Sequence, residues 1–266
     1  MKKLFGALAA AALLFVGSTA SALDIGNDGF IEVEGVEYPS PGENPNDARR
    51  LAILDAYRQL GESVGDLHIS SESTVKQKLE QKSGKSKSER VVTDELNTKV
   101  NAVVNGAMLK SAYRDADGSF HAIVRLSVFG GAKSLANAVL PEKTGVEDFL
   151  KPKFTDVDLN YTGLIVDCSG LGLSTAILPS IKAADGTEIY AYKNISRQMA
   201  AERGMVSYSD SLETGVQRAG NNPLTVKAMF VSGECDAVVS DDDADKILAA
   251  NQNSSFLKNC MVVFVR

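Results

Sequence analysis

Apolar and acidic residues alternate along "FIEVEGVEY", residues 30–38, as they do in a strand with one buried face and one wet face. The period then lengthens. Asn44-Pro45 places an N-cap residue before proline at the first helical position. In "NDARRLAILDAYRQLGESVG", Leu51, Leu54, Leu60 and Val64 fall near one stripe, with Ala48, Ala52 and Ala56 at close-packing positions. This predicts an amphipathic helix ending at Gly65. "DLHISSESTVKQKLEQ", residues 66–81, begins as a polar, β-branched strand. Residues 91–107, "VVTDELNTKVNAVVNGA", fit a helix or a strand equally well. From residue 107, "AMLKSAYRDADGSFHAIVRLSVF" reads as two alternating strands joined at Asp115-Ala116-Asp117-Gly118.

The second half carries shorter signals. "LIVDCSGLGLS", residues 164–174, is a buried strand running into a glycine-rich turn. A hairpin follows at Asp185-Gly186, then a short helix "ISRQMAAERG" stopped by Gly204. Next come one buried strand "LTVKAMFVSG", a short strand "DAVVS", a helix "DDDADKILAANQ" and a terminal strand "CMVVFVR". Strands and helices alternate only in part. The expectation is an α+β fold of two small domains, the first a helix on an antiparallel sheet and the second a mixed sheet. The boundaries read as a signal peptide at 1–22, a first domain at 23–129, a linker at 130–158 and a second domain at 159–266. The linker is marked by Gly130-Gly131, Pro141, Gly145 and Pro152.

The start of the chain adds a compartment. Lys2 and Lys3 precede an apolar run and the small residues Ala20-Ser21-Ala22, the pattern read by signal peptidase, which predicts cleavage after Ala22 and a periplasmic protein. The run is shorter than the roughly 20 residues that span a bilayer, and no later segment reaches that length, so no transmembrane segment is expected in the mature chain. Losing two lysines and no acid takes the formal charge from -6 to -8, which excludes nucleic acid as a partner on charge grounds. Against that background, residues 76–90 place Lys76, Lys78, Lys82, Lys85, Lys87 and Arg90 against Glu80 and Glu89. The segment reads as a solvated loop or as an arm for an anionic envelope polymer.

The glycine-rich turn invites a nucleotide-binding reading, which the residues oppose. Gly170 and Gly172 match the first two glycines of G-x-G-x-x-G, but Thr175 stands at the third and Pro179 interrupts before any helix can form. Enzymatic chemistry has little to work with. The two histidines, His68 and His121, lie on predicted strands of the first domain, and the histidines and cysteines do not fall at zinc-site spacing. Asp241-Asp242-Asp243 lack the EF-hand spacing and read as a helix start capped by Ser240. No catalytic residue, cofactor or metal site is expected. Of the three cysteines, Cys168 sits in a strand, while Cys235 and Cys260 flank strands that could be neighbours, which in an oxidising compartment suggests a Cys235–Cys260 disulfide.

The stretches "YTGLIVDCSGLGL", "ILPSIKAADGTEIYAY", "AGNNPLTVKAMFVSGE", "DAVVSDDDADKIL" and "CMVVFVR" resemble the C-terminal segment of exported bacterial envelope proteins. The helix "DARRLAILDAYRQLGESVG" with "ISSEST" and the hairpin to Val128 is similar to the twenty-kilodalton outer-membrane lipoprotein family and to the N-terminal domain of flagellar assembly protein T. The chain departs from the pattern in three places: it has no lipid-carrying cysteine after the signal, Cys168-Ser169 stands where a small and a basic residue are expected, and lysines are inserted after Val75. The resemblance implies a non-catalytic structural or assembly factor whose partners are envelope or flagellar proteins. The competing expectation is a small-molecule-binding module with its site between the domains, rimmed by Asp167, Ser169 and Gly170, where a strand end meets a glycine turn.

Overall fold

The computed structural model describes residues 24–42, 44–80, 87–153 and 160–266, with only the backbone described over 87–93. The expected cleavage site and the middle of the basic segment, residues 81–86, lie outside the described residues. The described residues form an α+β fold with several sheets. In chain order the first half contains β1 (Phe30–Glu37), α1 (Pro45–Ser63), β2 (His68–Ser70), β3 (Ser73–Thr74), α2 (Val75–Glu80), α3 (Lys87–Asn105), β4 (Met108–Arg114) and β5 (Phe120–Ser127). The ambiguous stretch is therefore helical, and the polar strand is two short strands leading into α2.

Antiparallel pairing in the order β1-β5-β4 makes the first sheet. Alternation in β5 is strict: Phe120, Ala122, Val124 and Leu126 are buried, while His121, Ile123, Arg125 and Ser127 are half-buried on the other face. Helix α1 covers the buried face. It starts where Asn44 Oδ1 accepts the Asn46 amide at 3.0 Å, with Pro45 at the first helical position. The buried stripe is Ala48, Ala52, Ala56 and Leu60, whereas the predicted stripe members Leu51 and Leu54 are 43% and 59% exposed. Gly35 of β1 gives the physical reason. A Cβ at Gly35 would stand 2.2 Å from the Ala52 carbonyl oxygen and 2.4 Å from the Ala56 nitrogen, so helix and strand meet backbone to backbone and only alanine fits between them.

The second half contains α4 (Leu135–Val139), β6 (Gly163–Asp167), β7 (Ile181–Ala183), β8 (Glu188–Tyr190), α5 (Arg197–Arg203), β9 (Ser207–Ser209), β10 (Pro223–Lys227), β11 (Phe230–Ser232), β12 (Asp236–Val239), α6 (Asp241–Ser254) and β13 (Val262–Val265). These strands make two four-stranded sheets. The order β10-β6-β13-β9 is parallel throughout, and its central β13 is buried along its length, as strands covered on both faces are. The second sheet, β11-β12-β7-β8, is mixed. The apolar run expected to be one strand is split between the two. Ala228 donates to the Asp167 carbonyl at the end of β6, and Met229 donates to Val238 of β12, so the chain changes sheets between consecutive residues. Helix α6 is capped as its sequence predicts: Ser240 Oγ accepts the Asp243 amide at 3.1 Å and donates to its carboxylate at 2.9 Å.

Within the expected linker, residues 134–140 are packed and a few later side chains are tied to the second half. Leu135, Ala136, Val139 and Leu140 are buried, Phe149 stacks on Tyr190 at 6.4 Å, and Asn194 holds the carbonyls of Glu147 and Asp148. Replacing Gly35 by alanine is expected to cost about 3 kcal/mol, the scale of a severe overpacking substitution. Gly145→Ala, with nothing within 4 Å of the added methyl, is expected to be neutral. Paired urea denaturation curves check this, and equal midpoints would contradict the close approach.

Candidate functional site

The two halves meet along a seam of backbone hydrogen bonds. The Ile177 and Leu178 amides donate to the His68 and Ile69 carbonyls at 3.1 and 2.7 Å, and His68 and Ala176 form a parallel β-bridge. Tyr208 pins this strip from behind, its hydroxyl donating to the Ala176 carbonyl and accepting the Ala176 amide, both at 2.9 Å. His68 Nε2 reaches Glu234 at 3.1 Å, and the Ile25 amide donates to Thr175 Oγ1 at 3.1 Å. At the far end the Phe129 ring lies where a Cβ on Gly204 would be, 2.8 Å away, and the Gly130 amide caps the Ala201 carbonyl. Gly204 has φ 72°, so the end of α5 needs glycine for its backbone as well as for its room.

Beside Phe129 and Gly130 the halves leave a cleft of about 530 Å³. Residues 25–30 form one wall, and Glu202, Arg203, Ser207 and Arg218 line the other. Arg218 donates to the Cys260 and Gly204 carbonyls at 2.6 and 2.5 Å, and its burial pulls the guanidinium below its ordinary value. Ser207 Oγ is buried without a hydrogen-bond partner among the described residues. The expected rim residues lie elsewhere: Asp167, Ser169 and Gly170 do not line this cleft. Asp167 ends β6 and accepts the Ser169 amide at 3.0 Å, and bonds from Ser169 hold its carboxyl below the usual range. Gly170, at φ 75°, stands with Gly172 in an open turn whose glycines serve a reversal of the chain. No helix follows the turn; the chain runs into the seam at Ala176, and no phosphate cradle forms.

Sequence spacing missed a second cluster, on the outer face of the first sheet. His121 Nδ1 donates to Glu34 at 2.8 Å, Tyr113 stacks on the imidazole at 5.2 Å, and Ser119 Oγ lies 2.9 Å from Nε2. Glu34, His121 and Ser119 thus have the outline of a nucleophilic triad, but Ser119 is fully buried. Its hydroxyl and amide also bond to Asp117, which holds that carboxyl below the usual range and leaves no free hydroxyl proton for the imidazole. A hairpin predicted at residues 115–118 was the available signal, because closing it brings the Asp115 and Asp117 end of the turn beside residue 121.

All three cysteines are buried free thiols, and the expected Cys235–Cys260 bridge is absent. Cys235 sits in the turn between β11 and β12 of the mixed sheet, whereas Cys260 leads into β13 of the parallel sheet, next to Tyr190. The prediction failed because it placed both flanking strands in one sheet. Burial pushes the Cys168 and Cys235 thiols up to about 12 and raises Cys260 as well. In the basic segment, Lys76 and Lys78 lie on α2, which packs against α3. Among the described residues no helix is long and apolar enough to cross a membrane.

Residues 163–266 match the sequence model of a family described as Treponema pallidum Tp0624, second domain. The match covers less than half of the chain, and it opens at the first residue of β6. No curated protein matches the chain.

The buried thiols make stability depend on alkaline pH. Cys168 and Cys235 are protonated in the folded chain well above the ordinary thiol value of about 8.5, so the unfolded chain loses protons first and stability falls as pH rises from there towards 12, with Cys260 acting in the same direction. The slope is on the order of 1.4 kcal/mol per pH unit for each thiol. Denaturation midpoints from pH 8 to 11 are expected to fall, and Cys168→Ala to flatten the fall. Ellman's reagent at pH 8 is expected to leave all three thiols unmodified until the chain is unfolded; rapid labelling of the native chain would contradict the burial.

Proposed function

We propose that the chain is a non-catalytic periplasmic factor with a structural or assembly role at the cell envelope, its partners being envelope or flagellar proteins. The observation that carries the non-catalytic part is the state of the nucleophiles. Ser119 is buried and bonded to Asp117, and the thiols of Cys168 and Cys235 are held protonated, so neither chemistry has an attacking group at neutral pH. The resemblance of the first half to the lipoprotein family and to flagellar assembly protein T supports the envelope setting, as do the signal-like start and the acidic balance. Exposed Tyr38, Leu54, Met108 and Tyr113 on the first domain offer contact area for a protein partner.

A second reading is capture of a small ligand between the domains, which the cleft and the unpartnered Ser207 hydroxyl favour. Two experiments separate the readings. Crosslinking in intact cells followed by recovery of the chain is expected to bring down a defined envelope or flagellar protein. A thermal-shift screen against nucleotides and cell-wall fragments is expected to stay silent. A reproducible shift that a cleft-filling Ser207→Tyr variant abolishes would replace the first reading by the second. The mass of the exported protein is expected to begin at Leu23 without an acyl group, and an acylated mass would overturn the unanchored periplasmic reading.

A further inference from the structure

We propose that Asp115, Asp117 and His121 form a binding site for one divalent transition-metal ion of the zinc class, with Glu34 as the residue that positions the imidazole. One carboxylate oxygen from each aspartate and one ring nitrogen of His121 lie within 4.8 Å of one another. The arrangement follows from the hairpin. Asp115 and Asp117 occupy the turn after β4, and His121 is the second residue of β5, on the outer face, so the sequence D-x-D-x-x-x-H closes on itself.

Three contacts aim the imidazole. Glu34, from the neighbouring β1, accepts the Nδ1 hydrogen bond at 2.8 Å, Tyr113 stacks on the ring, and Nε2 faces the turn, 2.9 Å from Ser119 Oγ and 3.9 Å from Asp115 Oδ2. A carboxylate that fixes Nδ1 while Nε2 faces the ion is the recurring outer shell of histidine metal sites, and here it comes from a different strand than the ligands. The local charge favours a cation. Glu34, Asp115 and Asp117 stand around one imidazole and outnumber the one guanidinium of the turn, Arg114, which donates to the Gly118 carbonyl, and among the described residues the only ion pair of Asp115 is with His121. The imidazole also decides the class of ion, because calcium and magnesium favour all-oxygen shells while zinc and its neighbours accept mixed nitrogen and oxygen sets.

Ligand atoms about 2.0–2.2 Å from zinc stand about 3.4 Å apart in a tetrahedron, so the 3.9 Å pair of Asp115 and Nε2 closes by about half an ångström and no other pair, all within 4.8 Å, closes by more than about 1.4 Å. The Asp115 side chain is 58% exposed, with Oδ1 accepting the Ala116 amide at 2.7 Å and Oδ2 the oxygen that approaches Nε2. The ion takes the place that Ser119 Oγ holds at 2.9 Å from Nε2, so binding requires that buried hydroxyl to turn aside onto its Asp117 partner, where it stays hydrogen-bonded. Three protein ligands leave at least one position for water.

Calorimetric titration of the full exported chain, without a histidine tag, tests the site with Zn²⁺. The expected result is one ion per chain, lost in His121→Ala and weakened at least tenfold in Asp115→Asn, whose exposed position leaves folding intact. Glu34→Gln is expected to weaken binding by about 10- to 100-fold at unchanged stoichiometry. Co²⁺ is expected to give a visible absorption band in the parent chain and none in His121→Ala. The proposal is overturned by no binding at millimolar Zn²⁺, by binding unchanged in Asp115→Asn and His121→Ala, or by Mg²⁺ or Ca²⁺ competing on equal terms.

Discussion

The strip from Thr175 to Leu178 is the constraint on which the two halves depend. Thr175 accepts from Ile25, Ile177 and Leu178 donate to β2, and Ala176 bridges to His68 while Tyr208 of its own half grips it from behind. Leu67 and Ile69 of the first half are buried beside this strip, so apolar burial and hydrogen bonding act at one place. The docking of α5 through Phe129 and Gly204 then fixes the opposite end, and the cleft is the space left between the two attachments.

Two large aromatic side chains brace the second half behind this boundary. Tyr190 and Tyr208 are fully buried, and each hydroxyl has a main-chain acceptor, Met205 for one and Ala176 for the other. A buried phenol without a partner would be costly, so both rings have one orientation only. Tyr208 also meets Phe264 edge-on at 6.2 Å, which ties the boundary to the middle of the parallel sheet.

Local chemistry was legible in the sequence, and long-range contact was not. Asn44-Pro45 and Ser240 announced two helix starts, and Asp185-Gly186 a hairpin, because capping and turn geometry involve neighbours in the chain. Leu51 and Leu54 were misplaced because hydrophobicity ranks leucine above alanine, while the packing was decided by Gly35 on another element. A glycine inside a strand was the hint. The split between β10 and β11 left no mark, since both pieces are apolar and the break is set by which sheet each joins. The disulfide failed for the same reason: proximity of Cys235 to Cys260 is a property of sheet order. In the outer-face cluster the hairpin was read correctly, but its ligand-bearing residues were tested only against motifs on longer elements.

The seam also separates two notions of a unit. By sequence likeness the unit opens at Gly163, yet the strip at 176–178 is hydrogen-bonded to residues almost a hundred positions before that point. A gene fragment cut at residue 163 would leave the Ile177 and Leu178 amides facing water beside newly bared apolar side chains, an exposed surface of the kind that invites association. In this chain the second half is therefore a socket whose plug is the β2 segment of the first.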